Sequence, residues 1–210
     1  MPSANSIVLI VDDDSSVREA LLLLLTAADL HAVGFASAAE YIAHPKPEIP
    51  ACLILDVELP DINGLDLQQR IGEGYHPPII FLTGHGDIPS SVRAIKAGAL
   101  DFLTKPFGAQ DLLNLVHTGL TQDRERRAKQ SDLERLQRRF DSLTPRERQV
   151  LPLVVSGLLN KQAAARLGIS EITLQIHRTN VMRKMEADSL ADLVRMAGWL
   201  HVPIGLGRHS

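Results

Sequence analysis

The stretch Ile-Val-Leu-Ile-Val-Asp-Asp-Asp, residues 7–14, joins a run of aliphatic residues to three carboxylates. An unbroken apolar run of this length predicts a strand that is buried on both faces of a parallel sheet. Similar runs occur at residues 51–55, 79–82 and 100–103, with helix-like segments such as 17–28 and 88–97 between them. This alternation predicts an α/β domain with a doubly wound parallel sheet.

Polar residues follow these predicted strands. They are Asp12 and Asp13, Asp56, Thr83 and Lys105. Because ligands of open α/β sheets bind beyond the carboxyl ends of the strands, we expect these side chains to meet at one edge. Carboxylates, a hydroxyl and an ammonium gathered there are typical of a site that accepts a phosphoryl group.

The chemistry explains these residue types. A transferred phosphoryl group carries negative charge that must be neutralised while the reacting oxygens stay in line. Asp56 is the predicted nucleophile. Clustered carboxylates repel one another, and Mg²⁺, for which Mn²⁺ can substitute, relieves that repulsion through oxygen ligands.

The predicted metal ligands are Asp13, Asp12 directly or through water, Asp56 and the backbone carbonyl of Glu58. Lys105 would pair with the phosphoryl oxygens, and Thr83 would donate a hydrogen bond to them. Each residue also has a structural interpretation, in which residues 12–14 start a helix, Asp56 opens a turn and Lys105 is a solvated charge. The combination of all of them favours the phosphoryl site.

Four motifs carry a family resemblance: V-D-D-D at 11–14, L-D-V-E-L-P-D-I-N-G at 55–64, T-G-H-G-D-I-P at 83–89 and D-F-L-T-K-P-F at 101–107. Together they resemble the receiver domain of a two-component response regulator, most closely the FixJ-like branch. The resemblance covers about residues 6–121 and implies a five-stranded, flavodoxin-like (CheY-like) receiver over residues 1–121. It also implies phosphoryl transfer from a sensor histidine kinase to Asp56 and a cis Lys105-Pro106 peptide bond.

Charge divides the chain into two halves. Residues 1–120 hold 6 Lys and Arg against 15 Asp and Glu, whereas residues 121–210 hold 16 against 10. The basic half favours a polyanionic partner such as double-stranded DNA, although basic runs are also common on solvated helices. Residues 122–141 contain neither Gly nor Pro and predict a helical linker, whose stripe at Leu133, Leu136, Phe140 and Leu143 packs on the C-terminal domain or on a second subunit.

The last part of the chain, residues 142–210, predicts a small all-α domain of four helices. Thr144-Pro145-Arg146-Glu147 is a helix start with a capping box. Helices are then predicted at 160–167, 171–185 and 189–199, with a Gly168-Ile169-Ser170 turn between the first two. Helix, glycine turn and helix form the helix-turn-helix pattern.

The residues L-T-P-R-E-R-Q-V-L at 143–151 and G-L-L-N-K-Q-A-A-A-R-L-G-I-S-E-I-T-L-Q-I-H-R at 157–178 resemble the DNA-binding domain of LuxR/NarL-type regulators. The helix at 171–185 is then the recognition helix, and Ile172, Leu174, Val181 and Met185 are expected to face its core. The resemblance implies base contacts from Gln175, Ile176 and Thr179. It implies phosphate contacts from Lys161, Thr173, His177, Arg178, Arg183 and Lys184.

Two of these assignments carry alternatives. Gln175 stands where relatives often have lysine, which predicts a different operator; a glutamine can pair with adenine and an isoleucine can contact a thymine methyl group. His177 is alternatively a packed or backbone-bonded histidine.

The resemblance further implies a switch: Thr83 moves toward the phosphate, Phe102 turns inward, and the face formed by Ser91, Val92, Ile95, Lys96 and Phe102 dimerises. Phe102 is alternatively an ordinary core aromatic. A homodimer formed on phosphorylation would place two recognition helices on a two-fold operator. RNA polymerase is a further expected partner at the promoter.

Other functional classes are less consistent with the sequence. A constitutive DNA-binding protein with a degenerate receiver conflicts with the complete set of acids, Thr83 and Lys105. A phosphatase-like enzyme conflicts with the lack of a second nucleophile and base, so we expect a stoichiometric phosphoacceptor with at most slow self-dephosphorylation. No apolar run is long enough to span a bilayer, no signal sequence is evident and Cys52 lies in a predicted core strand; these features predict a cytoplasmic protein without membrane partners.

Overall fold

The computed structural model describes residues 5–71, 76–84 and 94–203. The chain divides into two compact units, Met1–Arg127 and Ala128–Ser210. Each unit has a hydrophobic core of its own.

The first unit contains the predicted five-stranded parallel sheet. Its strands are β1 (Ile7–Val11), β2 (Ala32–Phe35), β3 (Ala51–Asp56), β4 (Ile79–Thr83) and β5 (Asp101–Thr104), in the order β2-β1-β3-β4-β5. All neighbouring pairs are parallel. The reversal of strand order around β1 and β3 creates the crevice in which doubly wound sheets bind ligands.

Helices of the first unit cover both faces of this sheet. They are α1 (Ser15–Ala27), α2 (Ala38–Ala43), α3 (Gly64–Ile71) and the first part of α4 (Ala109–Asp141), and residues 94–96 are also helical. Side chains alternate along β1, so Leu9 packs in one core and Ile10 in the other. This two-sided burial is why the strands read as continuous apolar runs.

A buried carboxylate ties α4 to the rest of the first unit. Asp123 is fully buried and accepts a hydrogen bond from the backbone amide of Ala51 at 2.9 Å. Arg126 and Arg127 each pair with it at 2.8 Å, and Arg127 also donates to the carbonyls of residues 47 and 48. These contacts hold residues 123–127 of α4 against the start of β3 and the segment before it.

The second unit contains the end of α4 followed by α5 (Pro145–Val155), α6 (Asn160–Leu167), α7 (Glu171–Met185) and α8 (Leu190–Trp199). The predicted capping box is present, with Thr144 and Glu147 bonding each other's backbone amides. Gly168 ends α6 in a left-handed conformation, with φ +63°, and thereby sets the turn of the helix-turn-helix.

The core of this unit confirms most of the predicted apolar positions. Leu174, Val181 and Met185 of α7 are fully buried, and Leu136 and Leu143 also join the core. The prediction for Ile172 was wrong, since 77% of it is exposed at the start of α7. Two residues ahead of Leu174, it lies about 200° around the helix and so faces the opposite side.

Leu133, the first residue of the predicted linker stripe, is 42% exposed, whereas Leu136 and Leu143 of the same stripe are buried.

Among the described residues, no helix combines the length and apolar character required to span a bilayer.

Candidate functional site

Three carboxylates meet at the carboxyl edge of the sheet. Asp12 directly follows β1 and is 1% exposed, Asp56 ends β3 and is 6% exposed, and Asp13 faces solvent. One ligand oxygen from each lies within 4.8 Å of the others. Oxygen donors at this spacing are suited to a hard cation such as Mg²⁺.

Lys105 links two of these carboxylates. Its ammonium lies 2.7 Å from Oδ2 of Asp12 and 2.5 Å from Oδ2 of Asp56. The backbone amide of Glu58 donates to Oδ1 of Asp56 at 2.9 Å, so both oxygens of that carboxylate have a donor. Lys105 itself is positioned by its backbone amide, which donates to the Thr83 carbonyl at 2.7 Å. The Lys105-Pro106 peptide bond is cis, as the resemblance implied.

Burial and the Asp12–Lys105 pairing act in opposite directions on the ionisation of this site. Burial raises the pKa of Asp12 above its ordinary value, although the nearby Lys105 acts in the opposite direction. Burial disfavours the Lys105 ammonium, but its hydrogen bonds with Asp12 and Asp56 outweigh that effect and raise the pKa of Lys105. The lysine therefore stays charged while it neutralises the carboxylates.

Asp14, the third acid of the opening motif, has a structural role. Its carboxylate caps the N-terminus of α1 by accepting hydrogen bonds from the backbone amides of Ser16, at 2.8 Å, and Val17. These hydrogen bonds lower the pKa of Asp14. The helix-start interpretation thus holds for Asp14, while Asp12 and Asp13 lie in the carboxylate cluster.

The predicted switch residues lie on the last two strands. Thr83 ends β4 and is buried, and Phe102 lies in β5 directly opposite Phe81, with ring centroids 6.4 Å apart. Phe102 is half-buried and packs against the core. Ile95 is 46% exposed and Lys96 is exposed, whereas Ser91 and Val92 lie outside the described residues.

Two residues that shape the carboxylate site were missed in the sequence. Arg18 of α1 donates to the backbone carbonyls of Asp12 and Asp13 at 2.7 and 2.8 Å and so fixes the acidic loop. Gly64, at the start of α3, lies so close to β3 that a Cβ there would be 2.3 Å from the Asp56 carbonyl oxygen. The glycine within the 55–64 motif was a signal for such a close approach.

The recognition helix α7 exposes the residues assigned to base contacts. Gln175, Ile176 and Thr179 are exposed on it, as is Arg183, while Lys161 is exposed on α6. The other predicted phosphate contacts, Thr173, His177 and Arg178, are half-buried. Thr173 also contributes to the start of the helix, because its backbone amide donates to the N-cap Ser170.

Lys184 differs from the other predicted phosphate contacts. Its ammonium lies 2.7 Å from the buried carboxylate of Glu147 and donates to the Ser142 carbonyl at 3.1 Å. The charge of Lys184 is therefore paired inside the domain, where it joins the end of α7 to the start of α5.

Asn160, at the start of α6, is a further residue that the sequence reasoning missed. Its side-chain oxygen accepts a hydrogen bond from Arg178 at 3.0 Å, and its side-chain nitrogen donates to the Gln175 oxygen at 2.5 Å. Asn160 thereby connects a predicted phosphate contact to a predicted base contact.

Comparison with known families gives a match in each unit. Residues 8–117 match the family described as response regulator receiver domain. Residues 141–197 match the family described as bacterial regulatory proteins, luxR family. The two matches correspond to the carboxylate cluster and to the helix-turn-helix.

Relatives match nearly the full length of the chain. Nodulation protein W of Bradyrhizobium diazoefficiens is 48% identical over 201 residues, covering 95% of this chain and 88% of that protein. Transcriptional regulatory protein FixJ of Azorhizobium caulinodans is 41% identical over 189 residues, covering 90% of each. The solved structure of the response regulator StyR is 45% identical and superposes with a TM-score of 0.83, covering 93% of this chain and 99% of that one.

Proposed function

The chain belongs to the two-component response regulators that join a receiver domain to a LuxR-type DNA-binding domain, and from that premise we propose its mechanism. A sensor histidine kinase transfers a phosphoryl group to Asp56 in a Mg²⁺-dependent reaction. Phosphorylation promotes dimerisation and regulates transcription, with activation as the expected direction. The observation that carries this proposal is the cluster of Asp12, Asp13 and Asp56, in which Lys105 bonds two of the three carboxylates.

Asp56 acts as the nucleophile. A carboxylate oxygen of Asp56 forms a bond to phosphorus as the bond from phosphorus to the kinase histidine breaks, and the histidine nitrogen keeps the electron pair. The Glu58 amide and the Lys105 ammonium orient the carboxylate before transfer. After transfer, Lys105 pairs with the new phosphoryl oxygens and the Thr83 hydroxyl donates to them.

Asp12, Asp13 and Asp56, with the backbone carbonyl of Glu58, are the proposed ligands of Mg²⁺. Their hard oxygen donors and mutual repulsion fit such an ion. A bound Mg²⁺ would neutralise charge on the transferred phosphoryl group. The protein's own contribution is to keep the carboxylates together, which Arg18 and Gly64 do through the backbone.

The DNA-binding unit places α7 in the major groove of promoter DNA. Gln175, Ile176 and Thr179 contact base edges, and exposed cations such as Lys161 and Arg183 contact phosphates. Phosphate contacts supply affinity that falls with salt, whereas base contacts select the operator. Since this activity requires DNA, we place the protein in the cytoplasm, where RNA polymerase is a further proposed partner.

Phosphoryl uptake tests the proposed nucleophile. Wild type, with Mg²⁺ and a small-molecule phosphodonor, should gain one phosphoryl group per chain by intact mass, and Asp56→Asn should gain none. Asp66→Asn is the matched control, because Asp66 is an exposed carboxylate in the first turn of α3. Normal labelling of Asp56→Asn would refute the assignment, and donor consumption far beyond one equivalent would identify an enzyme instead of a stoichiometric acceptor.

Light-scattering mass tests the coupling to dimerisation. With Mg²⁺, beryllium fluoride mimics the aspartyl phosphate and should convert wild type and Asp66→Asn from monomer to dimer, while Asp56→Asn stays monomeric. A dimer before addition would contradict phosphorylation-driven dimerisation. Monomers throughout would contradict it as well and would favour release of the DNA-binding unit without dimerisation.

A further inference from the structure

The orientation of the Gln175 amide is determined by a neighbour on another helix. An asparagine or glutamine amide has an oxygen and a nitrogen of similar shape, so its orientation follows from its hydrogen bonds. Arg178 has only donors, which means that the Asn160 oxygen must face it, as observed at 3.0 Å. The Asn160 nitrogen therefore faces Gln175, and the Gln175 oxygen must accept from it, as observed at 2.5 Å.

These two hydrogen bonds leave the side-chain nitrogen of Gln175 available to donate to DNA. The side chain of Gln175 is exposed, and its nitrogen has no hydrogen-bond partner within the described parts of the chain. The backbone of the same residue is held in α7, where its carbonyl also accepts from the Thr179 hydroxyl at 3.0 Å. Gln175 thus offers donors to a base edge while its acceptor is occupied.

We propose that Asn160 is a specificity-determining positioning residue, which holds Gln175 as a donor and so selects guanine over adenine at the base it contacts. This inference rests on the proposed binding of α7 to DNA, and it changes the base expected opposite Gln175 from adenine to guanine. Guanine presents two acceptors in the major groove, O6 and N7. Adenine presents an acceptor beside a donor, and its usual pairing with glutamine requires a free amide oxygen.

Adenine is disfavoured because its amino group, a hydrogen-bond donor, would face another donor on Gln175. If the Gln175 nitrogen faced adenine, the adenine amino group would meet another donor and would lose its hydrogen bond with water. Thymine, with a single acceptor at O4, would rank between guanine and adenine. A good base contact is worth enough to change relative affinity by roughly tenfold or more.

The test begins with the operator. Full-length wild type with Mg²⁺ and beryllium fluoride is used to select binding sites from a randomised duplex library. Gln175→Ala then identifies the base pair at which preference depends on Gln175. At that pair, competition binding compares the four bases in an otherwise fixed selected site.

Asn160→Asp is the decisive variant. The introduced carboxylate still accepts from Arg178, but it has no donor, so Gln175 must turn its nitrogen inward and its oxygen outward. Preference should then move roughly tenfold or more from guanine toward adenine or cytosine, whose amino groups donate. Asn160→Ala releases Gln175 and should flatten the preference.

Asn180→Asp is the charge control. It adds the same charge to α7 at a residue that lies outside this hydrogen-bond network, so it should lower overall affinity without changing the ranking of bases. The ranking is a quantity that a purely structural role of Asn160 would not move.

The outcomes separate this inference from the proposed function. Guanine preference in wild type together with its reversal in Asn160→Asp supports the inference. Adenine preference in wild type, an unchanged ranking in Asn160→Asp, or no position sensitive to Gln175→Ala overturns it while specific DNA binding stands. Failure of the wild type to enrich any sequence would instead overturn the proposed DNA-binding function and the inference with it.

Discussion

Removal of the Asp123 carboxylate should destabilise the first unit, although Asp123 is not one of the residues of the phosphoryl site. Asp123 lies in α4, 72 residues from Ala51, and is its hydrogen-bond acceptor at the first residue of β3. The same carboxylate pairs with Arg126 and Arg127 at 2.8 Å. Asp123→Ala would therefore leave a buried amide and two guanidinium groups without this acceptor.

The magnitude follows from these contacts. Loss of the acceptor for the buried Ala51 amide costs about 1 to 3 kcal/mol. The Arg127 side chain is 23% exposed, and its charged hydrogen bond contributes roughly 1.5 to 3 kcal/mol. The Arg126 side chain is 44% exposed, so solvent screening limits that pair to less than about 1 kcal/mol. A loss of about 3 to 5 kcal/mol is expected, in the range for breaking a buried ion pair.

Cys52 provides the assay. It is the single cysteine of the chain, it is fully buried beside Ala51, and burial, assisted by the nearby Asp123 charge, raises the pKa of its thiol to about 12. A thiol reagent can therefore modify it only when the first unit opens, and the labelling rate reports the open population. The expected loss corresponds to an increase of roughly 10²- to 10⁴-fold in that rate.

Two further variants make the result interpretable. Asp123→Asn keeps one acceptor oxygen and should lose about half as much stability, while Asp111→Ala, an exposed acid in the first turn of the same helix, should lose less than about 1 kcal/mol. A rate increase below tenfold in Asp123→Ala, or one equal to that of Asp111→Ala, would refute the stabilising role of this network.

Three other outcomes follow from the structure. The pKa of Glu147 is lowered, because hydrogen bonds from Lys184 and from the Thr144 helix cap outweigh the opposite effect of burial. The stabilisation from the ionised Glu147 is therefore complete above about pH 4.5 and lost as the pH falls further. In a series of thermal melts at different pH values, Glu147→Gln should show a smaller acid-induced decrease in melting temperature than wild type. Gly64→Ala should lower the free energy of unfolding by about 1 to 3 kcal/mol and reduce phosphoryl uptake, because the added Cβ would meet backbone atoms of β3. Gly198→Ala is the control and should match wild type in both assays, because its added Cβ would have no atom within 4 Å. Ile172→Ser should change stability by less than about 0.5 kcal/mol, whereas Leu174→Ala should cost about 2 to 5 kcal/mol in the same denaturation experiment; equal losses would contradict the opposite burial of these two residues.

The carboxylate site was readable from the sequence because its residues directly follow strands. Parallel strands that end at one edge bring Asp12, Asp56 and Thr83 together in any doubly wound sheet, and the structure places them there. The helix boundaries of the second unit were readable because caps and glycine turns act locally. The helix predicted at 160–167, for example, is observed over the same residues.

Burial on a helix was harder to predict. Ile172 was assigned to the core, yet it is two residues before the buried Leu174 and so lies on the opposite side of α7. Lys184 was predicted to contact DNA phosphates, and in the fold its ammonium is paired with Glu147. For Lys184 the residue type was informative about charge, but its partner depended on which carboxylate packs against α7.

The sequence alone determined the class of each unit, the strand-end carboxylates and the helix starts, because these depend on short-range periodicity and on local backbone hydrogen bonds. Only the tertiary structure decided that Asp123 bonds Ala51, that Gly64 lies against the Asp56 backbone, and that Asn160 donates to the Gln175 side-chain oxygen. The physical reason is that a hydrogen bond or a close contact requires ångström-scale placement of groups from different elements. Pattern and composition indicate the type of each element and its local caps, whereas packing between elements fixes the partner of each side chain.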